Sequence, residues 1–278
     1  MEIVGSPAEM RARDLRAAGR VVGFVPTMGA LHEGHLSLVR LARARADVVV
    51  VSVFVNPTQF GPSEDFESYP RDLEGDASLL AEAGCDVLFA PEAAAIYPAG
   101  FATVVHVQRL TRKMCGAFRP GHFDGVTTVV AKLLAIVRPD FAVFGQKDGQ
   151  QAAVIERMAA DLDTGVEIVR APTVREADGL AMSSRNAYLT SEERADAPAI
   201  YAALDSARKL YEAGDTDADA ALERIRGEID ARRTARTQYV AAVDASTLED
   251  AAVLAPGVML AVAVFVGETR LIDNIVLS

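Results

Sequence analysis

No G-x-G occurs anywhere in these 278 residues, and no G-x-x-x-x-G-K-S/T. The first absence removes the usual dinucleotide fingerprint and the second removes the P-loop. A nucleophile elbow, G-x-S-x-G, is also missing, which removes a common serine-hydrolase arrangement. Cysteine is scarce. Cys85 and Cys115 are the only two, too few and too far apart to frame a disulfide fold or a zinc site. H-E-x-x-H is absent; its nearest approach, His32-Glu33-Gly34-His35, spaces the histidines by three with no third ligand evident. Positive charge is in short supply, with 28 Lys+Arg against 39 Asp+Glu and a net charge of −11, giving a pI near 4.9. Such a surface repels nucleic acid, so an anionic small molecule needs a local gathering of Lys, Arg and His. The longest apolar stretch, Ala251 to Gly267, is broken by Pro256-Gly257 and reads as a turn beside buried strands, not a membrane span. Met1 to Arg20 alternates charges and shows no signal-peptide h-region. The expectation is a soluble cytoplasmic protein with neither a membrane nor a nucleic-acid partner.

What is present is a globular composition, 50% hydrophobic and 24% charged, long enough for one large domain or two ordinary ones. Strand and helix signals alternate over the first 170 or so residues. Val21–Val25 predicts a strand, followed by a helix from about His35. Val48–Val55 is nearly all β-branched, as a strand buried on both faces should be. A helix from about Asp72 to Ala83, a strand Val87–Ala90, a buried helix Val126–Val137 and a strand Phe141–Phe144 follow. Gln150–Leu162 predicts a further helix and Val166–Val169 a further strand. The pattern predicts an α/β, doubly wound parallel sheet over residues 1–172. After Pro172 the character changes. Thr190-Ser191-Glu192-Glu193 predicts a capping box. Helices over roughly 191–213 and 217–233 and strands at Tyr239–Val243, Val258–Val266 and Leu271–Val276 predict a smaller α+β domain over 173–278.

Ligands of open parallel sheets bind beyond the carboxyl ends of the strands. Three polar, irregular segments fall there: 26–35, 56–71 and 145–151. The first reads Pro26-Thr27-Met28-Gly29-Ala30-Leu31-His32-Glu33-Gly34-His35. A helix N-terminus offers free N–H groups and partial positive charge, and Gly29 and Gly34 let a phosphate approach the backbone. His32 and His35 can share one side of that turn, which points to nucleotide-phosphate chemistry. Gly145-Gln146-Lys147-Asp148 ends a strand, where Lys147 is either a phosphate clamp or a surface lysine. Met182-Ser183-Ser184-Arg185-Asn186 offers hydroxyls and a guanidinium suited to polyphosphate, or else a turn. Asn56 to Phe60 offers amides able to donate to a carboxylate and accept from a hydroxyl. Gln151 stands one helical turn after Lys147; either it or Gln59 is equally a solvated or capping residue. Arg119-Pro120-Gly121-His122-Phe123 is a rigid turn with two potentially cationic groups, and His106 reads as structural.

Taken in order, these segments, with Val53-Phe54-Val55-Asn56-Pro57-Thr58-Gln59-Phe60-Gly61, Tyr69-Pro70-Arg71 and Arg270-Leu271-Ile272-Asp273-Asn274, run through essentially the whole chain. The chain resembles the pantoate–β-alanine ligase (pantothenate synthetase) family. The histidine turn alone is shared with a wider nucleotidyl-transferring superfamily, whereas the ordered set is specific. The resemblance implies a Rossmann-like first domain, a smaller second domain that closes over ATP, and a homodimer. It implies ATP- and Mg²⁺-dependent condensation of (R)-pantoate with β-alanine to pantothenate, AMP and diphosphate through a pantoyl-adenylate, a step of coenzyme A biosynthesis. It places Met28, His32, His35, Gly145, Gln146, Lys147, Asp148, Val174, Met182, Ser183, Ser184 and Arg185 at ATP, with His35 as proton donor. His35, Lys147 and Arg185 become the catalytic set, and Gln59 and Gln151 hold pantoate. The Mg²⁺ ligands are not located; Asp72 and Asp76 are candidates, and a solvated helix face explains them equally. Two departures stand out: Gly149 where an aromatic residue is usual, expected to loosen the loop beside Lys147, and Cys115 where an acidic residue is usual. The rival readings are a nucleotidyltransferase acting on a phosphate ester, which needs a more cationic acceptor pocket than Asn56–Phe60 provides, and a nucleotide sensor without turnover.

Overall fold

Val48–Val53 is five valines and a serine, and all but its last residue are buried. Such a run suits a strand covered on both faces, and here it lies inside a six-stranded sheet. The structure, a computed structural model, describes residues 1–62 and 64–278. Ser63, within the polar segment 56–71, lies outside them. The chain divides into two units, one of Met1–Gly145 with Val154–Ala171, the other of Gln146–Ala153 with Pro172–Ser278.

The first unit carries β1 (Glu2–Val4), α1 (Pro7–Arg11), β2 (Val22–Thr27), α2 (Glu33–Arg43), β3 (Val48–Val53), α3 (Leu73–Glu82) and β4 (Val87–Phe89). There follow α4 (Ala93–Ile96), α5 (Cys115–Phe118), α6 (His122–Val137), β5 (Phe141–Gly145), most of α7 (Gly149–Asp161) and β6 (Glu167–Ala171). The strands are all parallel, in the order β1-β4-β3-β2-β5-β6. From β2 the chain winds one way through β3 and β4, then resumes on the other side of β2 with β5 and β6. The reversal between β2 and β5 is where doubly wound sheets take ligands. Val49 and Val51 join Leu38, Val39 and Ala42 of α2 and Leu80 of α3 in one apolar cluster. Val48 and Val50, which alternate with them along the strand and so face the other way, are equally buried. The α/β expectation therefore holds. Strand β1 was not expected. It is three residues long, pairs Ile3 with Leu88 at the sheet edge, and is too short to show a period.

In the second unit, β7 (Ala235–Asp244), β8 (Val258–Val266) and β9 (Thr269–Val276) form an antiparallel sheet in that order. Ile200 and Leu204 of α9 (Ala199–Glu212) and Ile225 and Ile229 of α10 (Ala218–Asp230) share a core with Leu260, Val262 and Val264 of the middle strand. The long apolar stretch of the sequence is thus largely a central strand. Thr190 and Glu193 form the expected reciprocal cap at the start of α8 (Ser191–Asp196). The single helix expected over 191–213 is two helices. Pro198, which lacks an N–H to extend α8, stands at the N-cap of α9 instead. Among the described residues no helix is long and apolar enough to cross a membrane.

Candidate active site

Strand β2 ends at Thr27, whose hydroxyl donates to the Ser52 carbonyl (2.7 Å) and accepts from the Gly29 N–H (3.2 Å). Gly29 and Ala30 then both adopt left-handed backbone, with φ of 81° and 51°. Two such residues in succession are costly unless held. Asp76 of α3 holds them: its buried carboxylate accepts from the N–H groups of Ala30 (3.0 Å) and Leu31 (2.8 Å). A Cβ on Gly29 would lie 2.8 Å from that carboxylate and 3.0 Å from Val53, so the position has no room for a side chain. Burial pushes the Asp76 carboxyl above its ordinary value, the two N–H groups pull it back, and the charge of Asp72 adds a smaller upward push. The two members of the acidic pair differ: Asp76 is buried and Asp72 is exposed. Asp76 faces the loop rather than solvent, and Asp72 caps α3 by accepting from the Gly75 N–H at 2.9 Å.

Beyond this loop His32 is the N-cap of α2, its Nδ1 accepting from the Gly34 N–H (3.2 Å). His35 reciprocates, its Nδ1 accepting from the His32 N–H (3.4 Å). A main-chain N–H can only donate, so both Nδ1 atoms are acceptors and each ring keeps its proton on Nε2. The rings lie 4.1 Å apart, tilted by 41°. Sequence spacing foresaw their shared side of the turn, but not that His32 caps the helix in place of the usual Ser or Asp and that His35 closes the capping box in place of the usual Glu or Gln.

Gln59 follows β3 on a 3₁₀ turn, Pro57–Gln59. Its Nε2 donates to the Met28 sulfur at 3.0 Å, and its Oε1 accepts from Asn56 at 3.1 Å. Asn56 is buried; it also donates to the Gly125 carbonyl (3.1 Å) and accepts from the hydroxyls of Thr58 (2.9 Å) and Tyr97 (2.8 Å). Its amide is thereby fixed, and it turns the NH₂ of Gln59 toward Met28. Burial raises the Tyr97 phenol against the pull of its bonds to Thr58 and Asn56. The main chain of Gln59 is held too. Its carbonyl accepts from His122 Nδ1 at 2.8 Å, while His122 Nε2 accepts from Arg119 at 3.0 Å. Arg119 forks onto Glu64 at 2.6 and 2.7 Å. Burial works to raise the Glu64 carboxyl, but Arg119's hydrogen bonds and charge outweigh it and hold it low. The two potentially cationic groups of this turn therefore brace the amide loop. His106 pairs with Asp124 at 2.7 Å.

The remaining expected residues lie in the second unit, apart from Gly145 at the end of β5. Lys147 sits on the 3₁₀ turn Gln146–Asp148, its ammonium 3.7 Å from the Asp148 carboxylate. Asn274 of β9 donates to the carbonyls of Gln146 (2.8 Å) and Lys147 (2.9 Å) and accepts from the Gln146 amide (2.8 Å). Gly149 stands where a side chain would have little room. A Cβ there would come within 2.6 Å of the Met259 sulfur and 3.1 Å of the Asn274 amide, so Met259 fills the space a side chain would need. Cys115, the other departure, is buried at the start of α5. Val174 and Met182 are joined across a hairpin, Met182 N–H donating to the Val174 carbonyl at 3.0 Å. Ser183 then caps the 3₁₀ turn Ser184–Tyr188 by accepting from the Arg185 N–H at 3.3 Å. Lys147, Ser183 and Asp273 line one small cleft. Gln151, in the first turn of α7, is half-buried.

Among the described residues no group of three or more His, Cys, Asp or Glu is placed to hold a metal ion. Mg²⁺ arriving on nucleotide phosphates needs only one or two carboxylates.

The architecture and this arrangement have close counterparts. The family model described as pantoate-beta-alanine ligase matches residues 2–276. A pantothenate synthetase of Moorella thermoacetica is 55% identical over 280 residues, covering 100% of this chain and 99% of that one. A crystal structure of pantothenate synthetase from Thermus thermophilus superposes with a TM-score of 0.95 at 50% identity, over 99% of each chain. A pantoate-beta-alanine ligase from Francisella tularensis, complexed with beta-gamma ATP and beta-alanine, superposes with a TM-score of 0.84 at 36% identity, over 99% of this chain and 97% of that one. With a family match across nearly its full length, and half or more of its residues shared with the first two of these relatives, the chain belongs to the pantoate-beta-alanine ligase family.

Proposed function

We propose that this protein joins (R)-pantoate to β-alanine at the expense of ATP, by way of a pantoyl-adenylate. A free carboxylate does not form an amide at neutral pH, because an oxide ion does not leave. In the first step a pantoate carboxylate oxygen attacks the α-phosphorus of ATP. A carboxyl–phosphate anhydride forms, the α–β phosphoanhydride bond breaks, and diphosphate leaves. In the second step the β-alanine amine attacks the activated carbonyl, AMP departs and the amine loses its proton.

The reciprocal histidine cap is the observation that carries this reading. It supplies two Nε2–H donors beside the N-terminus of α2, where the helix dipole favours anions. His35 and His32 serve the phosphates, with Met28 beside them. Gln59, its NH₂ turned toward Met28 by Asn56, donates its second N–H to pantoate, and Gln151 contributes a second amide. Lys147 and Arg185 neutralise charge developing on the α-phosphate and the departing diphosphate, which is electrostatic preorganisation. Gly145, Gln146, Asp148, Val174, Met182, Ser183 and Ser184 complete the nucleotide contacts. The anhydride hydrolyses readily, so the reaction requires that water be excluded from it. The relative complexed with an ATP-type ligand and β-alanine supports the substrate assignment.

The test is diphosphate release from ATP and Mg²⁺ with pantoate alone, then with β-alanine added. Pantoate-dependent release that becomes sustained turnover to AMP on adding β-alanine is expected. Release independent of pantoate, or none with it, overturns the reading.

A further inference from the structure

Strand β9 carries two polar residues in succession, Asp273 and Asn274, exposed by only 3% and 5%. They pair in register with Val262 and Ala261 of the buried strand β8. An unpartnered polar group in such surroundings is strongly unfavourable, so where their hydrogen bonds go is informative. Asn274 spends its whole amide on one turn. Both N–H groups reach successive carbonyls, Gln146 and Lys147, and its oxygen takes the Gln146 side chain. Asp273 accepts both terminal nitrogens of Arg175 at 2.5 and 3.0 Å, and the Asn274 N–H at 2.8 Å. Arg175 in turn donates to the Gly179 carbonyl (3.1 Å), lies 3.7 Å over the Tyr201 ring and bridges to Ala181. It therefore fixes the hairpin whose ends are Val174 and Met182. One dipeptide of one strand thus holds two separate segments, the turn bearing Lys147 and the hairpin leading into Ser183–Arg185.

We infer that Asn274 and Asp273 are positioning residues for the ligase reaction, Asn274 setting the Lys147 ammonium and Asp273, through Arg175, setting the Ser183–Arg185 turn. The inference rests on the reading that these segments serve the nucleotide. Neither residue contacts a reacting atom. Each acts through another, so its effect must vanish when the residue it positions is absent.

The experiment is a double-mutant cycle on pantoate-dependent diphosphate release, with Asn274→Ala and Lys147→Ala alone and together. Asn274→Ala is expected to lower kcat by about 30-fold or more in the natural background and by less than about threefold in the Lys147→Ala background, as for residues that act as a unit. Equal losses in both backgrounds mean a merely structural role and overturn the inference. A substrate-free measurement runs beside it: acetylation of Lys147, whose side chain is 21% exposed, relative to Lys209, 68% exposed, in the natural protein and in Asn274→Ala. A relative rise of at least about threefold is expected when the turn is released; an unchanged ratio refutes the positioning. If the natural protein releases no diphosphate, the functional reading fails while the labelling ratio still decides this one.

Discussion

Replacing Asp76 separates the loop that carries the histidine turn from its anchor. In Asp76→Ala the N–H groups of Ala30 and Leu31 lose an acceptor at 3.0 and 2.8 Å. Hydrogen bonds to a charged group contribute about 1.5–3 kcal/mol each, so the gross loss is about 3–6 kcal/mol. Two effects reduce it. Burying the carboxylate is itself unfavourable, as its raised pKa records, and Ala30 and Leu31 are only half-buried, so water can take over part of the role. The net destabilisation expected is about 2–4 kcal/mol for Asp76→Ala and about half that for Asp76→Asn, which keeps one acceptor oxygen. The pH dependence has a definite sign. A carboxyl raised in the folded protein binds its proton more tightly there than in the unfolded chain. Its contribution to stability therefore falls as pH rises from about 3.8 through the folded value and is level above it. Asp76→Asn lacks that slope. Function suffers more than stability, because Gly29 and Ala30 hold left-handed backbone only while the loop is pinned, and kcat/KM for ATP should fall at least about tenfold. Urea midpoints across pH and steady-state kinetics measure both. An Asp76→Ala protein destabilised by less than about 0.5 kcal/mol, the range of an ordinary surface change, and with unaltered ATP kinetics refutes the reasoning.

Lys147→Ala is expected to slow single-turnover diphosphate release by about 10²–10³-fold, roughly 3–4 kcal/mol of transition-state stabilisation; a loss under tenfold with both substrates saturating removes Lys147 from the mechanism. Gln59→Ala should raise the KM for pantoate far more than that for ATP, and equal effects would place Gln59 outside the pantoate site. Glu64 is held low by Arg119, so its pairing stabilises the fold above about pH 4.5 and is lost as pH falls below it. Glu64→Gln should accordingly be less stable than the natural protein near neutrality and match it in acid; a difference that persists unchanged in acid argues against the ion pair. Burial pushes the Cys85 thiol up to about 12, so at pH 8 roughly one molecule in 10⁴ carries the reactive thiolate. Iodoacetamide should spare Cys85 in the folded protein and label it in urea, and equal labelling in both would show that the thiol is not sequestered.

What could be read from the sequence alone follows from how local each signal is. Strand β3 was legible because six consecutive residues state their own environment. The capping box at Thr190 was legible because both partners lie within one turn. The split at Pro198 was available from proline's missing N–H, but the alanine-rich flanks on either side gave one uninterrupted helical pattern. Strand β1 was hidden by its length. The site divides in the same way. The histidine turn and the amide loop stand next to their strands and announce themselves, whereas their supports come from far along the chain. Asp76 meets the loop 45 and 46 residues away, and Asn274 meets its turn 127 and 128 residues away. Gly149 looked like a weakness in isolation because Met259, which occupies the space, is remote in sequence.

The allocation of Gln146–Ala153 to the second unit, although these residues lie between two stretches of the first, has a practical bearing on recombination. A chimera joined to a relative at residue 172 would pair this chain's Lys147 turn with another protein's Asn274 and another protein's neighbour for Gly149. Any side chain at 149 combined with Met259 is a mismatch that such a crossover can create. The heritable module is discontinuous, and exchange without disruption requires two joined inserts, 146–153 and 172–278, moved together.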